Sequence, residues 1–250
     1  MAGHVMAGNL TMNCVLSAAA EPELELAALL AAAQQDEFGA IELFRHRTSS
    51  CVVRDNLSVR DIRNALAASQ VKLAAYEIRP LTGRKADSDE RNLPYNLRQL
   101  EWDTHLGRAL GIQTISVRSG TTSSQEQAQE ARADLVEGLG QLVERIPDVT
   151  FAVGPAVDSV LQTAADFDEL LSGIDGVGVI LDVAQLRAAA VDLAAFARDW
   201  AQQVSLVRLD DGDVPVDEIA DALTAADFNG PIVLESRDAD LRQRVQTRFG

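Results

Sequence analysis

Eight short apolar runs, each ending in polar residues and each followed by a helical pattern, punctuate this chain. The runs are "LTMNCVL", "AIELF", "VKLAAYEI", "TISVR", "TFAVG", "GVILD", "SLVRL" and "PIVLE". Between them lie "PELELAALLAAAQQ", "SVRDIRNALAAS", "NLRQLEWDTHLGRALG", "SQEQAQEARADLVEGLGQLVERI", "SVLQTAADFDELLSGI", "DLAAFARDWAQQ" and "VDEIADALTAAD", and "RDADLRQRVQTRF" follows the last run. Their apolar residues recur about every 3.6 positions, the signature of amphipathic helices. Asp158 or Ser159 is expected to cap the fifth helix, Gly111 to end the third and Pro215 to start the seventh. Eight strand–helix units in 250 residues suit a (β/α)8 TIM barrel. A doubly wound open sheet shows the same alternation, but its GxGxxG fingerprint does not follow the first strand. The expectation is therefore an α/β chain with one barrel domain over residues 9–250, preceded at 1–8 by a loose tail or an expression remnant.

The composition narrows the partners. A formal charge of -16 repels phosphate backbones and anionic lipid surfaces, so neither nucleic acid nor membrane is an expected partner. No apolar run reaches the roughly 20 residues that span a bilayer. The two cysteines, Cys14 and Cys51, form no CxxC pair, so neither a disulfide framework nor a structural zinc site is signalled, and a reducing cytoplasm is the simplest location.

In a barrel, alternate strand residues point into the lumen and chemistry gathers at the carboxyl ends. The phase that turns Ile180 inward also turns Asp182 inward, and it pairs Leu206 with Arg208 and Val233 with Glu235. Extended backward, it selects Gly154, Arg118, Glu77 or Tyr76, and Glu42. An apolar layer beneath an ionisable layer is thus predicted, with Glu42, Asp182, Arg208 and Glu235 around one cavity. Buried charges need partners, water or a metal, so such convergence marks a site. The alternative is that these residues end their strands in solvent.

The series "EFGAIELF", "ALGIQTISVRSG", "TFAVGP", "GVGVILDVAQL", "SLVRLDDG" and "DFNGPIVLES" resembles the xylose isomerase-like TIM barrels, the sugar isomerase and epimerase superfamily. The resemblance implies a divalent metal held by a strand-five glutamate, a strand-six aspartate with a histidine three residues on, a strand-seven histidine and a strand-eight glutamate. It also implies that the two glutamates move a proton beside a carbonyl. Here Asp182 and Glu235 keep their places, whereas Gly154, Gln185 and Arg208 stand where the other three ligands would be.

A glycine supplies neither ligand nor base, and an arginine offers donors only. Arg208 is expected to bridge Asp182 and Glu235 in place of the metal's charge, and no metal or other cofactor is expected. The alternative is magnesium or manganese on Asp182 and Glu235, with Gln185, Glu42 and waters completing an oxygen shell.

At the rim, His46 in "RHRTSS" is either an acid–base group near neutral pH or an exposed loop residue. Arg45, Arg47, Arg79, Arg84, Lys85 and Arg118 make one side cationic, which suits a carboxylate- or phosphate-bearing molecule; solvated loops explain the same charges. "SGTTSS" at 119–124 could present backbone N–H groups to an anion or simply cap a helix. Asp211 matches an aspartate that the resemblance places after strand seven, in a loop whose other acids, Asp210 and Asp213, favour solvation. His105 lies within a helix, and Cys51 has no anchored base beyond His46, so neither is expected to be catalytic. Trp102 and Trp200 fit either a homo-oligomer interface or the outer core.

Two functions follow. One is an isomerase- or epimerase-like enzyme acting on a small polyhydroxylated or keto acid ligand, with Glu235 as base, Arg208 and Asp182 completing the catalytic centre, and Glu42, His46, Glu77, Arg118, Gln185 and Asp211 binding substrate. The other is a non-catalytic relative, a ligand binder or partner subunit, that keeps the cavity without the chemistry.

Overall fold

The computed structural model of the protein describes residues 14–52, 57–82, 92–120, 125–157 and 159–249. Eight parallel strands close into a barrel in sequence order, β1 (Cys14–Ser17), β2 (Ala40–Phe44), β3 (Lys72–Glu77), β4 (Thr114–Arg118), β5 (Thr150–Gly154), β6 (Val177–Asp182), β7 (Val204–Leu209) and β8 (Ile232–Leu234). Closure is made by Val15 opposite Val233, and it leaves the sheet without an edge. The outer ring consists of α1 (Leu26–Gln35), α2 (Val59–Ser69), α3 (Leu93–Ala109), α4 (Gln125–Arg145), α5 (Ala164–Leu171), α6 (Val183–Ala188), α7 (Leu193–Trp200), α8 (Val216–Ala225) and α9 (Ala239–Phe249). The predicted barrel is the observed one. Residues 10–13 of the first predicted strand, Asp158, Arg84 and Lys85, and residues 121–124 of "SGTTSS" lie outside the described residues.

Two apolar cores hold the barrel. The larger lies between sheet and helices and contains, among others, Leu43, Phe44, Tyr76, Phe151, Leu181 and Val207 from the strands. The smaller fills the lumen with Val15, Ala40, Ala75, Ala152, Ile180, Leu206 and Val233. These alternate along each strand, as the period of two requires. Tyr76 belongs to the outer core and Ala75 to the lumen, so it is Glu77, not Tyr76, that shares the inward phase.

Local chemistry sets most boundaries where the sequence places them. Gly111 takes φ +88° just beyond α3, the left-handed turn that glycine adopts without a Cβ penalty. Pro215 precedes the first residue of α8. The fifth helix differs from expectation: it begins at Ala164, because the Thr163 backbone N–H and hydroxyl donate to Asp166, each at 2.9 Å, while Ser159 is used in a turn with Leu161. A further short helix, α6, starts directly from β6 because Asp182 accepts the Gln185 backbone N–H at 3.1 Å.

Candidate functional site

Two residues beyond the lumen's apolar layer, each strand carries a polar or vacant position: Ser17, Glu42, Glu77, Arg118, Gly154, Asp182, Arg208 and Glu235. At its centre stands Arg208, 1% exposed. Its Nη2 donates to Glu42 and its Nη1 donates to Glu77 at 2.9 Å. Asp182 lies 3.8 Å from Nη1, and Glu235 lies 3.6 Å from Nε. The guanidinium therefore occupies the predicted centre, but its hydrogen-bonded partners are the strand-two and strand-three glutamates rather than Asp182 and Glu235. Those two sit just outside hydrogen-bond range.

The remaining acids are divided among other donors. Arg118 spans Glu77 and Asp182, at 3.0 Å from each, and Arg47 donates to Glu77 at 3.1 Å. Ser17 donates to Glu42 at 2.7 Å. Burial by itself would raise the Glu77 carboxyl, but Arg208, Arg118 and Arg47 overcome it and hold the group down at about 2. Glu235 moves the other way: burial raises it above the usual carboxylate range, more strongly than Arg208 lowers it. Arg208 stays protonated because its four acids outweigh its desolvation. Glu235 Oε1 and Arg208 Nε are buried, without a hydrogen-bond partner among the described residues.

A cavity of about 330 Å³ opens beside this cluster, lined by Phe44, Arg45, His46, Arg47, Glu77, Ile78, Arg79, Pro80, Arg118, Ala156, Val157 and Gln185. Of the predicted binding residues, His46, Glu77, Arg118 and Gln185 meet there. Glu42, Asp182 and Arg208 are buried, Arg208 and Asp182 are linked to the cavity wall through their pairs with Glu77 and Arg118, and neither these three nor Glu235 line the cavity. Asp211 is exposed and away from the cavity. The loop after β7 instead carries an Arg187–Asp210 pair, which keeps its charge at the surface. His46 lies at the rim, and its basicity is lowered by partial burial and then by Arg45 and Arg79.

One site residue escaped the sequence. Asp103, on α3, is wholly buried and accepts Arg45 Nε and Arg79 Nε, each at 2.6 Å. Its signal was position: it falls on the apolar stripe of Leu93, Leu97, Leu100 and Gly107, where an acid must have a partner.

The metal set that the resemblance implies does not fit these residues. A Cβ at Gly154 would meet Ile180 at 3.2 Å, so the strand-five ligand position is both empty of donors and crowded. The Gln185 side-chain carbonyl already accepts the Val157 N–H at 3.0 Å, and the Arg208 cation stands among the acids. Among the described residues no three His, Cys, Asp or Glu side chains converge as a metal's ligands would.

Among curated protein sequences none matches the chain significantly. Solved structures do. An IOLI protein described with a bound zinc atom superposes with a TM-score of 0.76 at 14% identity, covering 95% of this chain and 96% of its own. A D-psicose 3-epimerase from Clostridium cellulolyticum H10 gives 0.74 at 13% identity, covering 95% and 96%. A probable 3-DHS dehydratase, AsbF, from Bacillus anthracis gives 0.71 at 13% identity, covering 95% and 97%. At such identities the likeness is one of fold. The family described as xylose isomerase-like TIM barrel matches residues 30–248, and with the barrel and its ionisable layer in view, the chain belongs to that family.

Proposed function

We propose that the protein binds a small polyhydroxylated or keto acid ligand in the cavity at the carboxyl end of its barrel, without a divalent metal. The observation that carries this is the position of Arg208, fixed among four acids where the family resemblance implies a divalent metal. The cavity size falls within the range of about 300–1,000 Å³ usual for small-molecule sites. Its wall offers Arg118 and Arg47 as donors, Glu77 as acceptor and Phe44 as an apolar face. Similar barrels include a D-psicose 3-epimerase, a D-tagatose 3-epimerase-like protein and an L-ribulose 3-epimerase, which supports a ligand of that size and polarity. Titrating D-fructose and gluconate into metal-stripped protein, with and without added manganese, tests the reading. Equal binding in both states supports it. Stoichiometric manganese on Asp182 and Glu235 that ligand binding depends on overturns it.

A second reading, proton transfer, is favoured by one observation: Glu235 combines a raised proton affinity with a carboxyl oxygen left without a hydrogen bond. A carboxyl whose proton affinity is raised by burial is better suited to taking up and returning a proton than an ordinary one. Glu235 lies off the cavity wall, so a ligand must pass the Glu77–Arg118 side to reach it. Arg118, which does line the cavity, would stabilise negative charge developing on the ligand's carbonyl oxygen. Metal-independent exchange of a ketose's α-hydrogen in D2O, abolished by Glu235→Gln, is the expected signature. Absence of exchange with intact ligand binding would leave the protein a binder.

A further inference from the structure

The cavity has two electrically different walls. On one, Arg47 and Arg118, with Arg208 behind them, meet Glu77, Asp182, Glu42 and Glu235, three cations against four acids among the described residues. On the other, Arg45 from the loop after β2 and Arg79 from the loop after β3 share the single carboxylate of Asp103. Among the described residues two guanidiniums therefore share one acid, an excess of one positive charge at this wall. Neither arginine is a loose surface side chain, since their side chains are only 12% and 18% exposed. Arg79 is fixed further by donating to Gln99 and, through Nη2, to Asp103 at 3.2 Å. Arg45 reaches toward His46 Nδ1 at 3.4 Å. Because Asp103 takes both Nε atoms, the forks are held in place before any ligand arrives, and little further ordering is required on binding. A planar fork beside an uncompensated charge is the geometry that recognises carboxylate and phosphate oxygens.

We propose that the Arg45–Asp103–Arg79 clasp is a subsite for the anionic end of the cavity's ligand, a carboxylate or a phosphate monoester, so that the protein takes sugar acids or sugar phosphates in preference to neutral sugars. The proposal rests on the reading of the cavity as a ligand site. Arg45 and Arg79 contact the anion, Asp103 positions them, and the wall of Glu77 and Arg118 is left to the ligand's hydroxyl groups.

Two matched pairs of probes test it by calorimetric titration: gluconate against sorbitol, and glucose 6-phosphate against glucose. The anionic member of at least one pair should bind about tenfold more tightly than its neutral partner or better. Preference for gluconate alone identifies a carboxylate subsite, and preference for glucose 6-phosphate alone a phosphate subsite. Arg79→Gln should remove that preference while changing the neutral member's affinity by less than about twofold, which a general folding defect would not do. Should Arg79→Gln fail to fold, the wild-type protein supplies the same test, since added salt should weaken binding of the anion and leave sorbitol unaffected. Equal binding of charged and neutral members, or salt-independent binding of both, overturns the subsite and leaves the cavity's role intact. Failure of all four probes to bind overturns both.

Discussion

At the scale of single residues, the protein turns on one guanidinium buried among carboxylates. Breaking a buried ion pair from one side leaves the partner's charge without compensation, at a cost of about 3–5 kcal/mol. Arg208→Met strands Glu42, which among the described residues keeps only the Ser17 hydroxyl, while Glu77 retains Arg118 and Arg47. Urea unfolding should show a loss of that order. Adding Glu42→Gln to Arg208→Met should recover part of it, because the stranded charge is removed. Glu77 predicts the acid limit. Its carboxyl lies near 2 in the folded state against an ordinary 4.5, so the fold binds its proton more weakly than the unfolded chain does. The stabilisation, about 3 kcal/mol, is present above the ordinary value and is lost as pH falls from 4.5 toward 2. Glu77→Gln should flatten the unfolding profile across that window. Glu235 has the opposite sign. Burial raises it, so its contribution is full below the ordinary carboxylate range and declines as pH rises through its folded value. Glu235→Gln should raise the melting midpoint at pH 8, with the gain fading toward pH 4.

At the scale of elements, the loops after β2 and β3 are tied to α3 through Asp103 as well as to the barrel, where the Arg45 N–H donates to the Glu77 carbonyl and the Leu81 N–H to the Arg118 carbonyl. The acid bonds to Arg45 and Arg79 at once, so Asp103→Ala releases two segments and leaves two cations without their shared partner. A destabilisation of about 3 kcal/mol or more is expected, accompanied by faster amide exchange in those loops than in the strands. Helix starts follow short-range chemistry that the sequence displays only in part. The Thr163–Asp166 capping pair is plain in "TAAD", yet it competes with Ser159, and only the turn at Ser159–Leu161 decides between them. α6 was hidden for a different reason: its cap is Asp182, a residue whose strand role masked its second one. α3 also shows the two tryptophans to be unlike. Trp102 stands 63% exposed on it, while Trp200 is 7% exposed on α7, packed with Phe167 and Phe196.

At the scale of the whole molecule, the net charge of -16 acts on stability as self-repulsion. The buried ion pairs of the barrel mouth are little affected by salt, whereas the surface excess is screened within about 10 Å at 0.1 M. Raising sodium chloride from low concentration to about 0.5 M should therefore raise the melting midpoint; a fall would show that surface pairs outweigh the repulsion. Among the described residues no helix is long and apolar enough to cross a membrane.

The alternation of apolar runs with amphipathic helices determined the α/β class, because period-two and helical patterns dictate which face each element buries. The count of eight units without a dinucleotide fingerprint favoured the barrel over an open sheet. The same period placed Glu42, Asp182, Arg208 and Glu235 in one layer, and left strand three open between Glu77 and Tyr76 until the barrel put Tyr76 in the outer core. What the sequence could not decide was pairing within that layer. Charges on strands two, three, six, seven and eight are remote in sequence, and the reach of one long side chain selects among acids that differ by about 1 Å in separation. That choice, like the clasp on Asp103, belongs to the closed barrel, where side-chain geometry and exclusion of water act together.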